Sequence, residues 1–116
     1  MSTPYKRGSA FEYAVKKDME KRGYFALRSP ASKTPADIYC FIKGGLAFIQ
    51  CKTSGRLDPD EWNELFTLCE SVNATPVLAK RGANGRGIEY YKLTGIKEKH
   101  KKAPMEPWEP RLIGEE

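Results

Sequence analysis

Cysteine, histidine and long apolar runs are scarce in this chain, and each scarcity excludes something. Three cysteines occur among 116 residues, and Cys40, Cys51 and Cys69 form no C-x-x-C pair. All lie inside apolar periodic segments, so they read as reduced core residues of an intracellular protein, not as a disulfide frame or zinc site. The one histidine, His100, stands in a run of charges and reads as a solvated residue, not a catalyst. No apolar run approaches the roughly 18 residues a membrane span needs, and no signal peptide precedes the first helical pattern. A soluble, cytoplasmic protein without a membrane partner is expected. No G-x-G-x-x-G follows a strand pattern, which argues against a Rossmann fold, and there is no internal repeat.

Charge, by contrast, is plentiful. The chain is 30% charged and 40% hydrophobic with a net charge of +5, an ordinary composition for one domain with one modest core. Residues 58–73 carry five acids and no Lys or Arg, so the +5 of the whole becomes +10 for the remainder. One part of the molecule should be strongly basic and suit an anionic partner, with plain solubility as the bland alternative.

The stretch from Thr34 to Lys52 organises the rest. It contains two apolar strand patterns joined by Lys43-Gly44-Gly45, which predicts a β-hairpin. Because side chains alternate along a strand, Asp37, Tyr39 and Phe41 should share one side of the first strand. Phe48, Gln50 and Lys52 should share one side of the second. An acid near the start of one strand then lies beside the end of its antiparallel neighbour, where Gln50 and Lys52 stand. That grouping suits a divalent cation held against a phosphate.

Taken in order, residues 1–8 read as a short arm carrying Lys6 and Arg7. Ser9 to about Arg22 spaces Phe11, Ala14, Val15 and Met19 on one helical side, and Ser9-Ala10-Phe11-Glu12 matches a capping box. Tyr24 to Arg28 is a short strand. Ser29 to Pro35 is a Ser- and Pro-rich loop that contains Lys33 and leads directly into Asp37. Beyond the hairpin, Thr53 to Leu57 is a polar connection with Arg56, and Asp58-Pro59 opens a second helix. Its Trp62, Leu65, Phe66, Cys69 and Val72 should face the sheet. Thr75 to Lys80 and Ile88 to Leu93 are further strands, joined by the flexible turn Arg81 to Gly87. The order α-β-β-β-α-β-β is that of an α/β domain on a mixed sheet flanked by helices. From Ile96 the composition turns basic and then Pro-rich, so residues 96–116 should be a tail, extended or mobile unless a partner orders it.

Phosphodiester hydrolysis needs a metal to polarise the phosphoryl oxygen, an activated water, and a cation for the developing charge. Mg²⁺ takes oxygen ligands, commonly one or two carboxylates completed by waters and phosphate oxygens. Asp37 can supply the first carboxylate, the residue two before Lys52 the second ligand, and the Cys51 carbonyl another. Lys52 would orient or deprotonate the water or neutralise the phosphate. Glu12 can reach the same spot from the first helix through a water.

The pattern Lys6-Arg7-Gly8-x-x-x-Glu12, Pro35-x-Asp37, Gln50-x-Lys52 resembles that of the PD-(D/E)xK nucleases. Within them it is most similar to archaeal-type Holliday junction resolvases, which also occur in phages and viruses. Arg28-Ser29 with the Ser-rich loop, Lys43-Gly44-Gly45, and Ala74-Thr75-Pro76 after the second helix extend the likeness across Lys6 to Leu93. The resemblance implies a restriction-endonuclease-like fold, with residues 1–95 as the nuclease domain. It implies a homodimer that binds a four-way DNA junction by its structure and makes paired symmetric nicks, one per Mg²⁺ site, with Mn²⁺ as substitute. Two-fold substrate and two-fold dimer match naturally. Carried over, Glu12, Asp37, Gln50, Lys52 and the loop hydroxyl of Ser32 are the catalytic set, and Glu12, Asp37, Gln50 and Cys51 are the metal set. Lys6, Arg7, Ser29, Lys33 and Arg56 would hold DNA phosphates, giving salt-sensitive binding with little sequence preference and no small-molecule substrate.

One position departs from that family. It usually has Glu where this chain has Gln50, an amide of nearly the same shape without charge. Metal affinity should therefore fall, and cleavage be weakened or abolished. The alternatives are a nuclease of the same fold acting on another DNA structure, and a non-catalytic DNA-binding module.

Overall fold

The structure, a computed structural model, describes residues 4–29 and 34–109, with side chains from residue 9 onward. Helix α1 (Pro4–Lys21) leads into β1 (Phe25–Arg28), β2 (Ile38–Ile42) and β3 (Gly45–Cys51). Helix α2 (Pro59–Val72) then precedes β4 (Thr75–Arg81), a 3₁₀ turn at Ala83–Gly85, β5 (Ile88–Leu93) and β6 (Met105–Pro107). The strands form one sheet in sequence order. Every neighbouring pair is antiparallel except β3 with β4, which α2 joins as a parallel crossover.

The predicted hairpin is present, with Ile38 opposite Ile49, Tyr39 opposite Phe48 and Ile42 opposite Gly45. Gly44 takes a φ of 87° at its tip, a backbone conformation that costs a residue without a Cβ little. Strand alternation then sorts the core into two layers. Ile38, Cys40, Ala47, Ile49, Val77 and Ala79 meet Phe11, Val15 and Met19 of α1 on one side. Phe48, Leu78 and Leu93 meet Trp62, Leu65 and Cys69 of α2 on the other. Strand β3 is thus covered on both faces, which explains its nearly unbroken apolar run. The two fully buried thiols are pushed up by burial, Cys40 to about 11 and Cys69 to about 12, so both are inert core groups.

Three expectations need correcting. Helix α1 begins at Pro4, not Ser9, so residues 4–8 are no arm and Ser9 is no cap. Thr-Pro is itself a helix-start signal, since Pro fits the first turn where its missing N–H costs nothing. The stripe on α2 also fails at one end: Val72, the last residue of the helix, is 50% exposed while Cys69 is fully buried. Finally, residues 96–109 are extended but not loose. Asn63 holds both the N–H and the carbonyl of Lys97, the Trp62 indole N–H donates to Gly95, and Thr94 N–H donates to Pro104. Strand β6 pairs with β5, and Trp108 meets Tyr90 edge-to-face with ring centroids 6.2 Å apart. Prolines are tolerated there because β6 is an edge strand.

The helices cover the sheet unequally. On the α2 side, that helix lies over β3 and β4 and leaves β1 and β2 open. Phe25 (62% exposed), Leu27 and Phe41 (52%) consequently form an apolar surface, with the Phe25 and Phe41 rings 5.7 Å apart.

Candidate active site

Strand β3 carries its apolar residues to Cys51 and then turns polar, and the chemistry gathers at that end. Asp37 sits one residue before β2. Its N–H donates to the Ile49 carbonyl at 2.8 Å, its carbonyl accepts from Ser29 N–H at 2.8 Å, and its carboxylate accepts the Cys51 N–H at 2.9 Å. Backbone on two neighbouring strands therefore fixes this acid. The next residue, Lys52, is anchored through its N–H to the Ala79 carbonyl of β4 at 2.9 Å. Its ammonium reaches Glu61, in the first turn of α2, at 3.2 Å.

Glu12 comes from the other layer. Helix α1 is clamped at its end by Asp18, which accepts from the Tyr90 hydroxyl at 2.7 Å and pairs with Arg22 at 3.2 Å. The Arg81 guanidinium lies over the Phe11 ring, 4.6 Å from its centroid. These contacts orient the turn bearing Glu12, whose carboxylate pairs with Arg28 at 3.2 Å while Arg28 also donates to the Ser9 hydroxyl at 3.0 Å. Ser9 and Glu12 are thus joined by an arginine from β1, and not by a capping box.

Burial chiefly holds the Asp37 carboxyl above its ordinary value. The Cys51 N–H opposes this, the charges of Glu12 and Glu61 add to it, and that of Lys52 opposes it. Asp37, Glu12, Lys52 and Glu61 are therefore one electrostatic group. The Cys51 thiol is pushed well up, first by burial and then by Asp37 and Glu12, so this cysteine offers its backbone to the site and not a thiolate. Gln50 is half-buried on β3, opposite Leu78.

Of the other candidates, Ser29 is adjacent, its hydroxyl 2.8 Å from that of Thr34. Arg56 is exposed in the connection after Lys52, with its N–H on the Ser54 hydroxyl at 3.2 Å. Ser32 and Lys33, and the side chains of Lys6 and Arg7, lie outside the described residues. Two residues had escaped notice as part of the site. Arg28 could have been suspected from its place at the end of the strand that leads toward Asp37. Glu61 stands three residues after the cap at Asp58.

Comparison with known proteins decides the family. Residues 3–103 match the family model described as archaeal Holliday junction resolvase (Hjc). This chain belongs to the archaeal Holliday junction resolvase family. Over 83 residues it is 31% identical to the crossover junction endodeoxyribonuclease Hjc of Methanocaldococcus jannaschii, a match covering 68% of this chain and 62% of that protein. The chain thus spans less than two thirds of the length of that curated relative. The 1.6 Å resolution structure of Archaeoglobus fulgidus Hjc, a Holliday junction resolvase from an archaeal hyperthermophile, superposes with a TM-score of 0.62 at 19% identity, covering 78% of this chain and 80% of that one. At that identity the likeness is one of fold, and the restriction-endonuclease-like architecture fits it.

For a member of the Hjc family, the groups that could act as donors are two carboxylates, an amide and a backbone carbonyl, all hard oxygen ligands. No trio of His, Cys, Asp or Glu side chains is assembled for a metal ion among the described residues. Such a set fits a cation that keeps waters and takes further oxygens from phosphate. Like charges crowd a partly buried Asp37, and a bound cation would relieve them.

A raised carboxyl means that the folded chain binds this proton more tightly than the unfolded chain. The stability tied to Asp37 is fully present below the ordinary value of 3.8 and is lost as pH rises through the raised one. Asp37→Asn removes the charge and keeps an oxygen for the Cys51 N–H. Its thermal midpoint should exceed that of the parent at about pH 7, with the gap closing toward about pH 3. A lower midpoint at neutral pH would contradict the strain assigned to this group.

Proposed function

We propose that this chain is a metal-dependent endonuclease that binds four-way DNA junctions as a homodimer and makes paired, symmetric nicks. Its place of action is then the cell interior, where such DNA occurs. The observation that carries this is the convergence of Asp37, Glu12 and Lys52 at the end of β3 in a chain of the Hjc family. Asp37, Glu12, Gln50 and the Cys51 carbonyl would hold Mg²⁺ or Mn²⁺. When bound, the ion supplies a Lewis acid for the phosphoryl oxygen and a source of reactive water.

The chain's own groups do the remainder. Asp37, fixed by three backbone hydrogen bonds, needs no rearrangement before it engages the cation, and such preorganisation is a main source of rate. Glu12 is oriented by Arg28. The Lys52 ammonium offers positive charge where the phosphate gains negative charge. Lys6, Arg7, Ser29, Lys33 and Arg56 would grip phosphates, and Ser32 would lie near the scissile one. Dimerisation is supported by the open apolar surface of Phe25, Leu27 and Phe41, since patches of this kind mark interaction sites. A binding-only module is favoured by one feature, the missing charge at Gln50.

The full chain with Mg²⁺ and a synthetic four-way junction should give paired symmetric nicks, while linear duplex stays intact. Asp37→Ala should abolish cleavage and leave junction binding. Gln50→Glu should lower the Mg²⁺ concentration for half-maximal rate by on the order of tenfold, through the added ligand charge. Cutting that ignores branching would overturn the junction assignment. Silence of both the parent and Gln50→Glu would favour the binding module.

Phe41→Lys should convert a dimer to a monomer in light scattering after size exclusion, with the thermal midpoint little changed because the ring is exposed. An unaltered dimer would move the interface elsewhere.

A further inference from the structure

The charged groups at the end of β3 fall into pairs, and the pairing is not the one the motif alone suggests. Glu12 is engaged by Arg28 at 3.2 Å, and Asp37 by the Cys51 N–H at 2.9 Å. The side chain two residues before Lys52 is a neutral amide. Among the described residues, the acid bonded to Lys52 is Glu61, with Nζ and Oε2 3.2 Å apart and the side chains 34% and 40% exposed.

Both ends of this pair are tied to backbone. Lys52 N–H donates to Ala79, and its carbonyl accepts from Gly55 N–H at 2.8 Å. On the other side, Asp58 is the N-cap of α2 and its carboxylate accepts the Glu61 N–H at 2.9 Å. Such a cap fixes the first turn, and with it the direction in which Glu61 leaves the helix. A lysine has four rotatable bonds and a strong entropic preference to wander. A carboxylate in a fixed place can hold its ammonium in one orientation.

We infer that Glu61 is a positioning residue for Lys52, supplying from the first turn of α2 the carboxylate neighbour that position 50 lacks in this chain. This rests on the nuclease reading above. In that reading Lys52 faces the phosphate, so the inference predicts a loss in the chemical step and not in binding. It also separates the two acidic positions by their readouts. Residue 50 bears on metal affinity, and Glu61 bears on rate once metal is saturating.

The test compares the full-length parent with Glu61→Gln, Glu61→Asp and, as a control on the same helix, Glu64→Gln. The main assay is single-turnover cleavage of a synthetic four-way junction at saturating Mg²⁺. Glu61→Gln should cut about 10- to 100-fold more slowly, the range typical of lost supporting contacts around a site. Junction affinity and the Mg²⁺ half-saturation should stay within about twofold of the parent. Glu61→Asp should fall between, and Glu64→Gln should match the parent.

An activity-independent measurement is the rate of reductive methylation of Lys52, read by mass spectrometry. Removing its partner frees the Nζ that the 3.2 Å pair holds, so labelling of Lys52 should speed up about threefold. Lys80, which pairs with Glu89 at 3.7 Å, should react as before. Equal labelling of Lys52 in parent and Glu61→Gln would overturn the inference even if the variant cut junctions slowly. So would equal cutting rates, or a slow variant whose thermal midpoint and junction affinity fall in step. A parent that binds junctions but never cuts them would overturn the nuclease reading, leaving Glu61 as a structural partner of Lys52 and no more.

Discussion

A single hydrogen bond, from the Cys51 N–H to the Asp37 carboxylate at 2.9 Å, holds the candidate site together. It uses a backbone donor at the end of a central strand to orient an acid that sits in the connection just before β2. The main chain of Asp37 is already tied to Ile49 and Ser29, and this bond fixes where its carboxylate points. With it, the acid is desolvated, kept beside Lys52, and opposed by the charges of Glu12 and Glu61. Desolvation of an acid among acids is unfavourable for folding, and its concentration at one end of an otherwise well-packed sheet is what a site built for a cation and an anion would show.

The remainder of the fold serves that spot by coverage and by its ends. Strand β3 is buried on both faces, so its direction is set by the packing of α1 on one side and α2 on the other. Each helix delivers one acid to the end of the strand, Glu12 from α1 and Glu61 from α2. Two basic residues, Arg28 at the end of β1 and Lys52 just past β3, answer them. The site is therefore made by the meeting of both layers, and neither layer contains it alone. The open face of β1 and β2 lies on the α2 side, where a second copy can add its surface without touching the packing under α1.

How much of this could be read beforehand follows from how local each signal is. The hairpin was legible because alternation and a Gly-Gly tip are short-range, and the grouping of Asp37 with Lys52 follows from it. The apolar stripe of α2 was legible as far as the sheet extends, and failed at Val72, where coverage depends on a tertiary boundary. The start of α1 was misjudged because a capping pattern at Ser9 competed with an earlier Thr-Pro signal. Strand β6 was hidden by its proline and by the lysine run before it, since an edge strand needs little propensity of its own once Trp108 has a ring to meet. Arg28 and Glu61 are invisible to periodicity altogether, because each reaches its partner across elements. A polar side chain at the end of an element joins a site through such distant neighbours, and only the assembled sheet identifies them.

Asp37 and the Cys51 carbonyl, with Glu12 alongside, are the proposed seat of a divalent cation beside Lys52. Crystals of the full chain soaked in MnCl₂ and measured at the manganese edge test it directly. The predicted result is an anomalous peak bonded to the Asp37 carboxylate and adjacent to the Cys51 carbonyl, absent from Asp37→Ala crystals. Manganese bound elsewhere, or a peak that survives in Asp37→Ala, would contradict it.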